Sequence, residues 1–345
     1  MDGKPSIKFE SVASSRDRTV GDRVGMPNLV WRDFFPTPKN KVNSMANLLR
    51  SAKSGNNWTA NELLAYNIEV QHATTTAFFN TVDLPETSVS ETILNNLQEP
   101  AGPLSKIERK FFQLMADVEY PCAEVAAVND FAVFLLSLLD YDHDDRRLHT
   151  DKEMTFYMAG QHVGAKADVV LMDTERFLLL ILEEDKVSCH LASASCLTHG
   201  TQSQRRASAT EPKYVAEAIA AASMNNARRL QSGLPPLERQ VIPGITMVGT
   251  AMIFYRFVVS TTLLTALATS NTPAEPTVVL KYTPPVPNPD KYNTQGMRPL
   301  ENRRIVFQCL EALKAIIVSY LHPRDRDAES HTLTECLNIL NIFRQ

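Results

Sequence analysis

The amino-acid sequence predicts an α/β protein with a central mixed sheet flanked by helices. Three observations lead there. From residue 122 onward the apolar patterning runs helix, three strands, helix, then further strands. The stretch Ala167 to Lys186, ADVVLMDTERFLLLILEEDK, holds two short apolar runs parted by Asp173-Thr174-Glu175-Arg176, as two buried, paired strands would. Residues 122–140 place Val125, Val128, Phe131, Leu135 and Leu138 on one stripe, the apolar face of an amphipathic helix.

The elements follow in order. Residues 1–55 read as an irregular arm, with a short helix within Asn40–Ala52. Thr59 caps a helix that starts at Ala60, and Glu62 three residues later completes a capping box. Phe78 and Phe79 read as an anchor onto the core, and residues 84–105, with Pro85, Pro100 and Pro103, as a connector. A helix covers Ile107 to Met115, Pro121 interrupts it, and the 122–140 helix follows. Tyr141 to Lys152 reads as a charged loop, Met154 to Val163 as a strand, and Gly164 as a turn before the central hairpin. Residues 188–209 are small and polar and read as a loop. Thr210 and Pro212 open a helix with Tyr214, Val215, Ala218, Ile219 and Ala222 on its apolar side. Ile245 to Val248, Met252 to Ser260 and Pro276 to Tyr282 read as strands, and 284–297 as a loop. Arg298 to Tyr320 reads as a long helix and Thr332 to Phe343 as a short terminal one.

Composition sets limits. The chain has 345 residues, 44% hydrophobic and 21% charged, enough for one large domain or one domain with an appendage. A net charge of −4 argues against non-specific coating of nucleic acid, though not against a local basic groove. The five cysteines form no CxxC pair, which fits a reduced compartment. The polar N-terminus shows no signal peptide and no apolar run reaches membrane-spanning length. The expectation is an intracellular protein of nucleus or cytoplasm, without membrane contact.

The candidate chemistry lies where the second apolar run discharges into Glu183-Glu184-Asp185-Lys186. A buried strand that ends in three carboxylates and a lysine is costly unless those groups face a cleft or bind something. Asp168, Glu184 and Lys186 form the pattern D…E-x-K, which resembles the active-site signature of the PD-(D/E)XK nuclease superfamily. Further segments extend the likeness: Asn129-Asp130-Phe131, Ala216 to Ala221, Pro243 to Thr250, Phe254-Tyr255 and Asn302-Arg303-Arg304. Together they resemble a group of uncharacterised fungal proteins assigned to that nuclease-like superfamily. The resemblance covers residues 116–321 and implies a restriction-endonuclease-like αβββαβ core. Residues 1–115 would then be an arm and helical appendage, and 322–345 a tail with a short helix.

The same resemblance implies an Mg²⁺- or Mn²⁺-dependent nuclease acting on nucleic acid, DNA ahead of RNA. Asp168 and Glu184 would hold the metal, helped by the Asp185 carbonyl, while Lys186 works on the attacking water. Carboxylates are the natural ligands of such hard ions. Glu124, on the first core helix, is a further metal candidate, although a carboxylate near a helix N-terminus needs no metal to explain it. The helix after E-x-K opens Glu211-Pro212-Lys213-Tyr214, without the glutamine that some relatives carry there. That absence and the acidic net charge support the alternative, a binding or interaction protein on the same fold with unused chemistry.

Register offers an internal test. Glu184 and Lys186 share a face. A three-residue loop, Thr174 to Arg176, sets Asp168 opposite Leu182 and on that face. A four-residue loop sets it opposite Ile181, on the face of Glu183 and Asp185, unless a bulge intervenes. The Glu184/Lys186 face is the expected one, with Asp185 the rival ligand. Cys189, His190, Cys196 and His199 match no common zinc spacing. The pairs Arg205-Arg206, Arg228-Arg229 and Arg303-Arg304 would bear on phosphate binding only if they clustered around the cleft.

Overall fold

The computed structural model describes residues 51–120, 125–143, 145–184 and 200–321, all of them in one compact unit within Thr37–Gln345. Thr59 caps α1 (Ala60–Ala65) through the predicted capping box with Glu62. β1 (Ile68–His72) and α2 (Thr75–Phe79) follow, the latter carrying the buried anchors Phe78 and Phe79. α3 (Glu91–Asn95) lies inside the stretch read as a connector. α4 (Lys106–Glu119) opens on a second capping box, Ser105 with Glu108. Then come α5 (Val125–Leu138), β2 (Arg146–Met158), β3 (Gln161–Asp173), β4 (Leu178–Glu184), α6 (Gly200–Gln231), β5 (Arg239–Val248), β6 (Ala251–Ser260), α7 (Thr261–Thr269), β7 (Thr277–Tyr282), α8 (Pro289–Gln295) and α9 (Leu300–Leu321).

Among the described residues, seven strands form one mixed sheet in the order β1-β7-β6-β5-β4-β3-β2. β1 runs parallel to β7 and β4 parallel to β5; the other neighbours are antiparallel. The region before residue 116 thus supplies an edge strand to the sheet as well as helices. Alternate side chains feed two cores, one on each face. Val169, Leu171, Leu180, Leu182, Ile245 and Met247 pack with α4, α5 and α9. Val170, Met172, Ile181, Ile253 and Val279 pack with α6 and α7. α6 approaches closely because its sheet-facing side is mostly alanine, and its Tyr214 ring packs against Gly244. A Cβ at Gly244 would come 2.0 Å from Tyr214 Cε2, so the crossing demands glycine there.

Several elements differ from the sequence reading. The stretch expected as a charged loop, 141–152, supplies the first half of β2. Its charged side chains suit an edge strand open to solvent, and pairing with the apolar β3 fixes it there. The turn into β3 is Ala159-Gly160, both at positive φ (51° and 71°), and not Gly164. α6 begins at Gly200, inside the expected 188–209 loop, and carries Pro212 in its interior. The fixed φ of proline is helical, and the preceding Gln, Arg and Ala residues are good helix formers, so one missing hydrogen bond does not end the helix. α7 follows β6 where no helix was expected; the Ser260 side chain caps it by accepting from the Leu263 amide at 3.1 Å. The terminal helix read at Thr332 to Phe343 lies outside the described residues, as does nearly all of Asn40–Ala52. No helix among the described residues is long and apolar enough to cross a membrane.

Candidate active site

The β3–β4 hairpin positions the candidate residues. Its loop is the predicted three residues, Thr174 to Arg176: the Asp173 amide donates to the Phe177 carbonyl at 3.1 Å, and Met172 pairs with Leu178. Arg176 takes the left-handed conformation that closes such a loop (φ 67°). A bulge then intervenes. Leu171 pairs with Leu180, so Leu179 is an extra residue on β4, and from there Val169 pairs with Leu182. Continuing the ladder by one step sets Asp168 opposite Glu183, where the expected register had Leu182. Asn225 of α6 holds the bulge from outside, accepting from the Leu178 amide (2.8 Å) and donating to its carbonyl (3.0 Å).

Asp168 and Glu183 consequently share the α6 face with Val170 and Ile181. Glu184 follows the alternation of Leu180 and Leu182 toward α5 and α9. What Asp168 shares with Glu184 is the main chain: Asp168 Oδ2 accepts from the Glu184 amide at 3.0 Å. The β2–β3 ladder also breaks here, since Asp151 lies opposite Asp168, has φ 54° and forms no ladder pair with it. Ala165 and Ala167 join the same core as Val170 and Met172, so the alternation of β3 slips at Asp168.

The α6 face adds two residues that the motif did not point to. Lys213 pairs with Glu183, and its Nζ lies 3.7 Å from Glu217 Oε1 one helical turn further on. Glu183 (1% exposed) and Glu217 (0% exposed) are buried, as are Asp168 and Glu184. Burial pushes the Glu183 carboxyl up to about 7, opposed by the Lys213 charge and reinforced by that of Asp168. Burial, with the neighbouring Glu183 charge, holds Glu217 well above the usual carboxyl range. Ionised, the two carboxylates offer each other no donor; protonated, Glu217 can donate to Glu183. Burial lowers the affinity of Lys213 for its proton, but the Glu183 and Glu217 charges outweigh that and leave its pKa raised. The sequence did carry a signal for this cluster. Glu217 is the one charge in the apolar run Tyr214 to Ala222, and Lys213 stands four residues before it, where helix neighbours meet.

The polar row continues across the sheet. Thr246 of β5 pairs with Glu183 in the β4–β5 ladder. Beyond it, the Tyr255 hydroxyl donates to Glu211 at 3.2 Å, and Lys281 of β7 pairs with Glu211 while lying 6.0 Å from the Tyr255 ring centroid. Glu124, Asp185 and Lys186 lie outside the described residues, as do Cys189, His190, Cys196, His199 and the Arg205-Arg206 side chains. The arginine pairs with described side chains do not gather at this row: Arg229 and Arg303 are buried and donate to backbone carbonyls.

Among the described residues, no group of three or more His, Cys, Asp or Glu side chains is arranged to hold a metal ion. Glu183 Oε2 is buried without a hydrogen bond among the described residues. The chain matches no protein-family model and no curated protein sequence.

Proposed function

We propose that this protein is a divalent-metal-dependent nuclease of the PD-(D/E)XK kind, an intracellular enzyme that hydrolyses phosphodiester bonds, with DNA ahead of RNA as substrate. The observation that carries the reading is the 3.0 Å hydrogen bond from the Glu184 amide to Asp168 Oδ2, which sets the aspartate of one strand against the E-x-K segment of the next. Asp168 and Glu184 would hold Mg²⁺ or Mn²⁺, with the Asp185 carbonyl. Glu184, the last residue of β4, follows Glu183, which pairs with Lys213. Its side chain must turn around the end of β4 to meet Asp168. A bound divalent ion would supply a polarised water and offset charge on the phosphate and leaving oxygen. Lys186 would orient or deprotonate that water, or pair with the phosphate.

The alternation of Glu184 toward α5 and α9, together with the engagement of Glu183 by Lys213, favours a second reading. In it the same fold binds a partner and its carboxylates serve structure. One experiment separates the two. The full chain is incubated with Mg²⁺ or Mn²⁺ and plasmid, linear DNA or RNA, beside Asp168→Asn, Glu184→Gln and Lys186→Ala, and its thermal shift on adding metal is recorded. The nuclease reading expects cleavage that all three variants lose, and a metal-induced rise in Tm that Asp168→Asn abolishes. No cleavage and no metal-induced shift would leave the binding reading.

A further inference from the structure

Ahead of α1, Gly55–Asn57 form a single 3₁₀ turn that lies between β3 and α6. Its glycine is buried, and a Cβ there would come 2.8 Å from the Ala165 Cβ and 3.0 Å from the Ala216 Cβ, so turn, strand and helix meet without spare room. Side chains on either side of that glycine reach the main chain of β3. Ser54 Oγ donates to the Gly164 carbonyl at 3.0 Å, and the Lys166 amide donates to Asn56 Oδ1 at 3.0 Å. In an antiparallel ladder the main-chain groups of alternate residues point to opposite neighbours. Those of Gly164 and Lys166 point away from β2, to the side that β4 occupies further along β3. Among the described residues the β3–β4 ladder starts only at Val169, so the turn holds a stretch of β3 edge that β4 leaves open. Trp58, 3% exposed, anchors the turn, with its ring edge-on to Phe156 at 5.9 Å and stacked on Tyr66 at 6.3 Å.

We infer that Ser54 and Asn56 are positioning residues for Asp168: their turn clamps β3 just before it and keeps its carboxylate against the Glu184 amide. This rests on the reading above, in which Asp168 is a functional carboxylate. The clamp stands where β3 needs one. Asp151 and Asp168 form no ladder pair and the alternation of β3 slips there, so pairing with β2 does not by itself fix the rotation of the strand about its axis. The bonds at Gly164 and Lys166 fix it on one side of the break, and the pairing of Val169 with Leu182 fixes it on the other. Asp168 lies between these two fixed points. The contact of Gly55 with Ala216 ties the same place to α6, one residue before Glu217, so the clamp also sets how closely α6 approaches this end of the sheet.

The test is amide hydrogen exchange in the isotope-labelled full chain, read by NMR at Glu184 and along the β5–β6 ladder, for Asn56→Ala, Ser54→Ala and Asn56→Asp. Asn56 is exposed and Ser54 half-buried, so the variants keep the core intact. In each alanine variant the Glu184 amide should exchange about two- to tenfold faster, the ratio that one ordinary hydrogen bond is worth, while the β5–β6 amides keep their wild-type rates. Asn56→Asp retains the acceptor oxygen and should restore the wild-type rate at Glu184. In the cleavage assay the alanine variants should lose kcat at unchanged KM. A Glu184 amide that exchanges at the wild-type rate in both alanine variants would overturn the inference. So would equal acceleration of the β5–β6 amides, since the turn would then stabilise the whole domain and position nothing, or an Asn56→Asp protein that behaves as Asn56→Ala does. If the wild type cleaves no nucleic acid, the nuclease reading fails, and the exchange rates alone decide whether the turn positions Asp168.

Discussion

Replacing Arg303 should unfasten the helices before residue 116 from the rest of the domain. This arginine, fully buried on α9, carries no ion pair of its own among the described residues. Its Nη1 donates to the carbonyls of Ile93 (2.7 Å) and Asn96 (2.5 Å), and its Nε to the carbonyl of Met297 (3.2 Å). Ile93 and Asn96 lie at the C-terminal end of α3, a helix of five residues whose last carbonyls have no intrahelical partner. The guanidinium also lies 5.3 Å from the Phe111 ring centroid on α4. Burial lowers its pKa to about 10, which still leaves it charged at neutral pH. Arg303→Met keeps much of the bulk and strands three carbonyls, two buried and that of Asn96 partly buried, at roughly 1–2 kcal/mol each. Relief of the guanidinium's own desolvation returns part of that, so a net loss of about 3 kcal/mol is expected. That is a large share of a typical stability of ~5–15 kcal/mol. Arg303→Lys, with charge but no planar fork, should fall between. The assay is urea unfolding followed by circular dichroism, comparing midpoints at constant m-value. An Arg303→Met protein within ~0.5 kcal/mol of wild type would refute the reasoning.

Gly244→Ala should cost ~1–3 kcal/mol or more, because its Cβ would meet backbone-fixed Tyr214 at 2.0 Å; adding Tyr214→Leu should recover part of the lost Tm, and a Gly244→Ala protein melting with the wild type would contradict the packing. Stability should also depend on pH through Glu183. Its folded pKa, raised from 4.5 to about 7, gives a contribution that is complete below the unfolded value and lost as pH climbs through the folded one. Between pH 5 and 8 the wild type should therefore lose up to about 3 kcal/mol relative to Glu183→Gln, and parallel pH profiles in urea titrations would exclude this.

The sequence exposed those features whose causes are local. The capping box at Thr59 and Glu62, the stripe of α5 and the three-residue loop at Thr174 to Arg176 each follow from a few neighbouring residues. The site register was not legible, because the bulge at Leu179 comes from a contact 47 positions away, with Asn225. A single inserted residue moved Asp168 from the Glu184 face to the Glu183 face. Lys213 and Glu217 were visible as residues, yet their meaning depended on α6 crossing the ends of β4 and β5. β2 was misread because its exposed half is as charged as a loop, and only its pairing with β3 makes it a strand.

The missing ladder pair at Asp151 and Asp168 interrupts the longest strand pair of the sheet where the alternation of β3 slips. On one side of it, Val169 and Leu171 face the core beneath α5 and α9 while Val170 and Met172 face the core beneath α6; on the other, Ala165 and Ala167 both join the α6 core. A strand pair opens most readily where a ladder pair is missing, because fewer hydrogen bonds must break there. Asp168 sits at that gap. The aspartate that accepts from the amide of Glu184 is thus bound to β4 beside a break in its ladder with β2, so loosening of the β2–β3 pair would reach that hydrogen bond early.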